Sequence, residues 1–323
     1  MNEKGELLMA TLPNAPALFS VQDVYKSAYP ARLQEFTSAG WQAGLSAAAE
    51  DQATLAVILV DYQHDFVDPA GTLYVPGSQD DIARFLTWFY TNAHRITAVY
   101  ASLDTHLPLQ IFYPTWWENP RTGEHPEPMT IITEEDVTRE VWTPVFPGER
   151  DWSFNYVHLL KQQAKKELMI WPYHTMEGTL GHMLSAPISE AVAWHSVARK
   201  TQPTYLVKGR TPRTEYYGLF GAEVFDPQDA SSALNVALLD AIMKHDRVYI
   251  AGEAKSHCVM ESTRQLVSHF ANQPELLGRV NILKDCTSSV KHPSVDFDAL
   301  AEEDLAVMKQ RGINLVLSTD PVA

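Results

Sequence analysis

The chain has 323 residues, 45% of them hydrophobic, enough for a substantial core in one large domain or two small ones. Its net charge of −15, with no compact Lys/Arg cluster, argues against a nucleic-acid partner. No apolar run approaches the ~20 residues that span a bilayer, and the acidic start carries no signal-peptide core, so a soluble cytoplasmic protein that binds no membrane is expected, with Cys258 and Cys286 both reduced.

Residues 1–50, with Pro13, Pro16 and Pro30, read as an N-terminal extension that wraps the surface or a partner subunit, ahead of a domain over 51–323. Leu55–Val60 is an apolar strand ending on Asp61. Helical periodicity over Asp80–Arg95 is followed by a strand over Ile96–Leu103 that leads into Asp104-Thr-His106. The stretch 107–165 interrupts this rhythm with seven prolines and with Trp116, Trp117, Trp142 and Trp152. It reads as an insertion, either a lid or oligomer contact, or a surface segment packed on itself.

Strands at Thr204–Val207, Val248–Ala251, Val280–Leu283 and Asn314–Leu317 then alternate with helices over Ser231–His245, Val259–Ala271 and Val295–Arg311, the last stopped by Gly312. Alternation of this kind predicts an α/β fold, a three-layer α/β/α sandwich around a parallel sheet of about six strands.

In an open parallel sheet, ligands bind beyond the carboxyl ends of the strands where strand order reverses. Asp61, Asp104, Lys208 and Cys258 each follow a different strand at that edge, so residues nearly 200 positions apart converge. Cys258 sits in a turn just ahead of a helix, where the dipole favours a thiolate. Taken singly, each has a blander explanation: a lone cysteine is usually core, a strand-end aspartate caps a turn and a strand-end lysine is solvated. Together they make an acid, an ammonium and a nucleophile. Asp104 and His106, two positions apart on extended chain, point the same way as a ligand pair would. Cys286 reads as inert packing.

The runs Asp61-Tyr-Gln63-His-Asp65-Phe66, Ser102-Leu-Asp104-Thr-His106, Trp171-Pro-Tyr-His174, Lys208-Gly209, Gly252-Glu-Ala-Lys-Ser-His257-Cys258-Val and Arg279-Val-Asn-Ile-Leu-Lys-Asp285-Cys-Thr resemble, in order, those of the isochorismatase-like cysteine hydrolases, and within them the nicotinamidases. The resemblance covers about 52–318, except between His106 and Trp171. It implies an Asp61/Lys208/Cys258 triad, an oxyanion hole from the Ala254 and Cys258 N–H groups beside a cis Glu253-Ala254 peptide, and a ring slot formed by Phe66 and Trp171 with Tyr216 or Tyr217 nearby. It also implies a divalent metal on Asp104, His106 and His174, zinc first, with iron or manganese as alternatives.

Phe112 and Gln110 stand near where some nicotinamidases place a further histidine, so three protein ligands are expected. His158, His182, His195, His245 and His269 read as surface or packing residues. The expected activity is hydrolysis of nicotinamide or a related aromatic carboxamide to acid and ammonia through a thioester, with a small-molecule amide as partner and a homo-oligomeric state. The alternatives are an amidase for another carbamoyl or maleamate-like substrate and, behind it, a non-catalytic binding protein.

Overall fold

The computed structural model describes residues 12–322, apart from residue 165 and the side chain of residue 164. Strands β1 (Leu55–Val60), β2 (Ala98–Asp104), β3 (Thr204–Lys208), β4 (Arg247–Gly252), β5 (Val280–Leu283) and β6 (Asn314–Val316) form one sheet in the order β6-β5-β4-β1-β2-β3. Every neighbouring pair is parallel. The chain runs outward from β1 through β2 and β3, then returns to β4 and runs out the other way. Strand order therefore reverses between β1 and β4, which opens a crevice at their carboxyl ends.

The main helices are α1 (Leu33–Gln42), α2 (Ser78–Asn92), α3 (Arg150–Leu159), α4 (Ala186–Ala198), α5 (Val236–Ile242), α6 (Met260–His269) and α7 (Phe297–Gln310). β1 is apolar at every position because both of its faces are covered. Leu55, Val57 and Leu59 join a core with Phe85, Trp88 and Phe89 of α2 and Ile188, Val192 and Trp194 of α4. Ala56, Ile58 and Val60 join the opposite core with Leu239 of α5, Leu266 of α6 and Leu305 of α7. The result is the expected three-layer sandwich with six parallel strands.

Several elements depart from the sequence reading. The helix expected over Ser231–His245 contracts to α5. Asp229 takes the Ser231 N–H at 2.9 Å, closing a separate turn, and the Asn235 side chain caps the helix by accepting from Leu238 at 3.0 Å. α4 escapes a periodicity search because Ile188, Glu190, Ala191, Val192, Trp194 and His195 are buried around its whole circumference. Glu190 tolerates this by receiving Arg32 at 2.9 Å, and Arg32 also holds Asp23 at 2.6 Å.

That network belongs to the N-terminal segment, whose described part is an outer layer of the domain itself. α1 lies on α4 so closely that a Cβ built on Gly40 would stand 2.8 Å from the Trp194 carbonyl oxygen. The 107–165 segment likewise turns several of its aromatic residues inward, though Phe146 is exposed. Trp116 and Trp117 are buried in the same core as α2 and α4. Short pairings of Trp117–Glu118 with Thr143–Pro144, and of Ile131–Ile132 with Leu168–Met169, tie the segment down. Among the described residues, no helix is long and apolar enough to cross a membrane.

Close contact between α1 and α4 predicts that Gly40→Leu lowers the unfolding free energy by about 1 to 3 kcal/mol, the usual cost of overpacking. A urea denaturation midpoint equal to that of the parent chain would contradict this.

Candidate active site

Strand register brings the site together. In the β2–β3 pair Asp104 lies directly across from Lys208, and in the β1–β4 pair Val60 lies across from Gly252, so that the turn after β1 faces the turn after β4. Asp61 opens the first turn in a left-handed conformation, φ +46°. A local bond offsets that strain: its N–H donates to Ser102 Oγ at 3.0 Å, and the Ser102 hydroxyl donates to Asp61 Oδ1 at 2.5 Å. Gln63 fixes the next strand end, taking the Asp104 N–H and giving its amide to the Asp104 carbonyl, both at 2.7 Å. After β4 the Glu253–Ala254 peptide is cis, as the resemblance implies. Residues Lys255–Val259 then wind into the start of α6 and carry Cys258.

Lys208 is the hub. Its Nζ lies 2.8 Å from Asp104 Oδ1, 3.0 Å from Asp61 Oδ2, 3.1 Å from the Tyr216 carbonyl oxygen and 3.7 Å from Cys258 Sγ. All four residues that supply side chains here are buried. Burial alone would lower the Lys208 pKa, but Asp104, Asp61 and the sulfur raise it well above its ordinary value, so the ammonium stays charged. Burial raises the Asp61 carboxyl, against the pull of Lys208. Burial also pushes the Cys258 thiol up; Lys208 opposes the rise and Asp61, which the thiol faces, adds to it. Asp61 Oδ2 touches Lys208 at an angle outside a regular hydrogen bond and has no hydrogen-bond partner among the described residues. It is the carboxylate oxygen left without a donor, and the Cys258 thiol faces its carboxylate.

Asp104, His106 and His174 bring their ligand-type atoms within 4.8 Å of one another. Asp104 Oδ2 is 2.8 Å from His106 Nε2 and 3.7 Å from His174 Nε2. The far nitrogens are engaged: His106 Nδ1 faces the Gly209 carbonyl at 3.1 Å and His174 Nδ1 faces the Pro172 carbonyl at 2.7 Å. With N–H on both Nδ1 atoms, both Nε2 lone pairs point at a carboxylate oxygen, an arrangement that a cation completes. Burial, with His106 adding, lowers the His174 pKa to about 4, so the ring is in the neutral form a metal requires. Burial would raise Asp104, but His106, Lys208 and His174 hold it well below the usual carboxylate range. Gly209, at φ +86°, makes room, since a Cβ there would meet Asp104 Oδ1 at 2.8 Å. Gln110 serves the loop, donating to the Gly209 and Thr211 carbonyls, and Phe112 packs edge-on to His106, so neither adds a ligand.

Aromatic rings close the crevice. Phe66 stands edge-on to His174 with centroids 5.7 Å apart, and Trp171 lies 6.4 Å from the same ring. The residue that bonds Trp171 is Tyr217, whose hydroxyl accepts from the indole Nε1 at 2.9 Å. Tyr216 contributes its carbonyl to Lys208. His257 packs edge-on to both Trp171 and Tyr217, and burial, with Lys166 and Arg264 nearby, lowers its pKa to about 3. Beyond His257 and Tyr217 opens a cleft of about 1140 Å³ that reaches Arg264 and Phe297.

Among solved structures the chain is similar to the yeast nicotinamidase bound to the inhibitor nicotinaldehyde, at 20% identity and a TM-score of 0.53, over 81% of this chain and 99% of that one. It is also similar to the Acinetobacter baumanii nicotinamidase/pyrazinamidase, at 17% identity and a TM-score of 0.54, over 84% and 99% respectively. The chain has the isochorismatase-like α/β fold. No protein-family model matches the sequence, and no curated protein matches it. Since nearly all of each solved chain is covered and about four-fifths of this one, this chain carries additions to the isochorismatase-like fold.

Within that fold, sequence reasoning located Asp61, Asp104, Lys208 and Cys258 and left Tyr216 and Tyr217 open beside the ring, but gave no part to Ser102, Gln63 or His257. Ser102 is signalled by the alternation of β2: as a polar residue inside an apolar strand, it must find a buried partner. Lys208→Met strands two buried carboxylates and is predicted to lower the unfolding free energy by about 3 to 5 kcal/mol. Unchanged urea unfolding would show that the ammonium holds no such balance.

Proposed function

We propose that this protein is a cysteine-dependent amidohydrolase of the nicotinamidase type, converting nicotinamide or a related aromatic carboxamide to the acid and ammonia. The observation that carries this reading is one buried ammonium 3.0 Å from a carboxylate and 3.7 Å from a thiol, the three residues coming from three different strands or the turns that follow them.

Asp61 Oδ2 takes the proton of Cys258 as the sulfur attacks the amide carbonyl carbon. Burial pushes the Asp61 carboxyl up and so makes it a stronger base than an ordinary carboxylate, but it pushes the Cys258 thiol up as well, so the transfer leans on the Lys208 ammonium, which favours the thiolate. The Ala254 and Cys258 N–H groups, on the cis-peptide turn and the first turn beyond it, receive the oxyanion. The carbon–nitrogen bond breaks as Asp61 returns the proton to the departing nitrogen, which leaves as ammonia, and the acyl group stays on Cys258 as a thioester. Water then gives a proton to Asp61 and attacks the thioester carbonyl. The acid departs, and the proton returns to the sulfur. Lys208 keeps its charge throughout and balances the anion, whichever atom bears it.

Asp104, His106 and His174 would hold a divalent ion, zinc by donor type, with iron or manganese as alternatives. When bound, the ion supplies an electrophilic anchor for a ring nitrogen. Phe66, Trp171 and Tyr217 set aromatic rings beside this cluster, a surface that suits a planar ring better than an aliphatic carbamoyl chain. An oligomer and a cytoplasmic setting fit this reading without contributing to it.

Ammonia release from nicotinamide, against a panel of carbamoyl and maleamate-like amides, tests the substrate class. The expected outcome is turnover of aromatic carboxamides, with Cys258→Ala and Asp61→Asn each lowering kcat/KM by about a thousandfold or more. Activity in Cys258→Ala would remove the mechanism, and preference for an aliphatic amide would remove the substrate. Chelation should lower both activity and the melting temperature, zinc should restore both, and His174→Ala should abolish the thermal response. A parent chain indifferent to chelation and zinc would contradict the metal assignment.

A further inference from the structure

The 211–217 loop carries two groups of the site, the Tyr216 carbonyl on Lys208 and the Tyr217 hydroxyl on Trp171. Two side chains of α3, inside the 107–165 segment, hold this loop. Trp152 Nε1 donates to the Arg213 carbonyl at 2.8 Å, and the Arg213 guanidinium lies 4.7 Å over the Trp152 ring. The Tyr156 hydroxyl accepts the Glu215 N–H at 3.0 Å and donates to Glu215 Oε2 at 2.9 Å. Tyr217 donates to Glu215 Oε1 at 2.5 Å and accepts from Trp171 at 2.9 Å.

An indole nitrogen only donates, so Tyr217 must face Trp171 with a lone pair. Burial pushes Glu215 up to about 7, and in its ionised form, above that pH, the carboxylate only accepts, so both tyrosine hydroxyls turn their hydrogens to it. Tyr156 and Glu215 are fully buried, and Trp171 is 3% exposed, so no water substitutes freely for a lost partner. The Tyr217 ring is held from the side as well: Lys166 Nζ stands 4.9 Å over it, fixed by Glu223 and Glu261.

We propose that Glu215 is a positioning residue. It accepts from Tyr156 and Tyr217 and so sets the Trp171 indole as one wall of the ring slot, and through Tyr156 the 107–165 segment governs how tightly that slot holds a planar substrate. Glu215 touches neither the thiol nor the ammonium, so its effect falls on binding of the ring. This rests on the aromatic-carboxamide reading for the identity of the ligand, while the hydrogen-bonded path from α3 to Trp171 stands on distances alone.

The test is steady-state kinetics with nicotinamide on the metal-loaded full chain for Glu215→Ala, Glu215→Gln, Tyr217→Phe and the double variant Glu215→Ala/Tyr217→Phe, with crystal structures of the parent and Glu215→Ala. Glu215→Ala and Tyr217→Phe should each raise KM about tenfold while kcat changes less than about threefold, and Glu215→Gln, which keeps one acceptor, should recover most of the loss. The double variant should be no worse than the more affected single variant, because the two residues act in series. Additive losses, a fall in kcat at constant KM, or no recovery by glutamine would overturn the proposal. In the Glu215→Ala crystal the indole should turn from its parent orientation, and an unmoved ring would overturn the proposal whatever the kinetics. A parent chain that hydrolyses no aromatic amide defeats the substrate reading instead, and the ring orientation then decides this one separately.

Discussion

The site depends on one buried ammonium shared by two carboxylates and a thiol. Taking Lys208, Asp61 and Asp104 out of water is costly, and the loss is recovered only because the register of β2 against β3 sets Asp104 opposite Lys208 while β1 delivers Asp61 to the same nitrogen. Each of the three needs the others to remain charged in a dry interior. Removing any one leaves an unpaired charge, so the trio acts as one electrostatic unit.

This unit joins the two functional halves of the crevice. On one side the ammonium touches Asp61, which the Cys258 thiol faces; on the other it touches Asp104, which belongs to the Asp104, His106 and His174 cluster. A change in charge on the cluster is therefore felt at Lys208 and, through it, at Cys258. Aromatic rings on the outer side limit what can approach. They are held in turn by a loop that the 107–165 segment pins in place.

Much of this was legible in the sequence because parallel strands simplify geometry. An apolar run that ends on Asp61, Asp104 or Lys208 puts its last residue on a known edge, and the edge alone brings four distant residues together. The fold class followed from the same alternation. What the sequence left out depends on side-chain reach or on burial without periodicity. α4 has no polar stripe to mark it, and α3 lies in a proline-rich stretch with no strand rhythm around it. Tyr216 and Tyr217 are adjacent letters, and only the loop's path decides which ring meets Trp171 and which carbonyl meets Lys208. Glu215 carries no motif at all. Its part comes from a tyrosine 59 residues earlier in the chain.

Acid-quenched turnover followed by intact-protein and peptide mass spectrometry tests the central claim most directly. With an aromatic carboxamide in excess, the account predicts a chain heavier by one acyl group, with the added mass on the peptide containing Cys258 and labile to hydroxylamine as a thioester is. Turnover with no acylated chain at any quench time, or with the mass on Cys286 or a carboxylate, would contradict it.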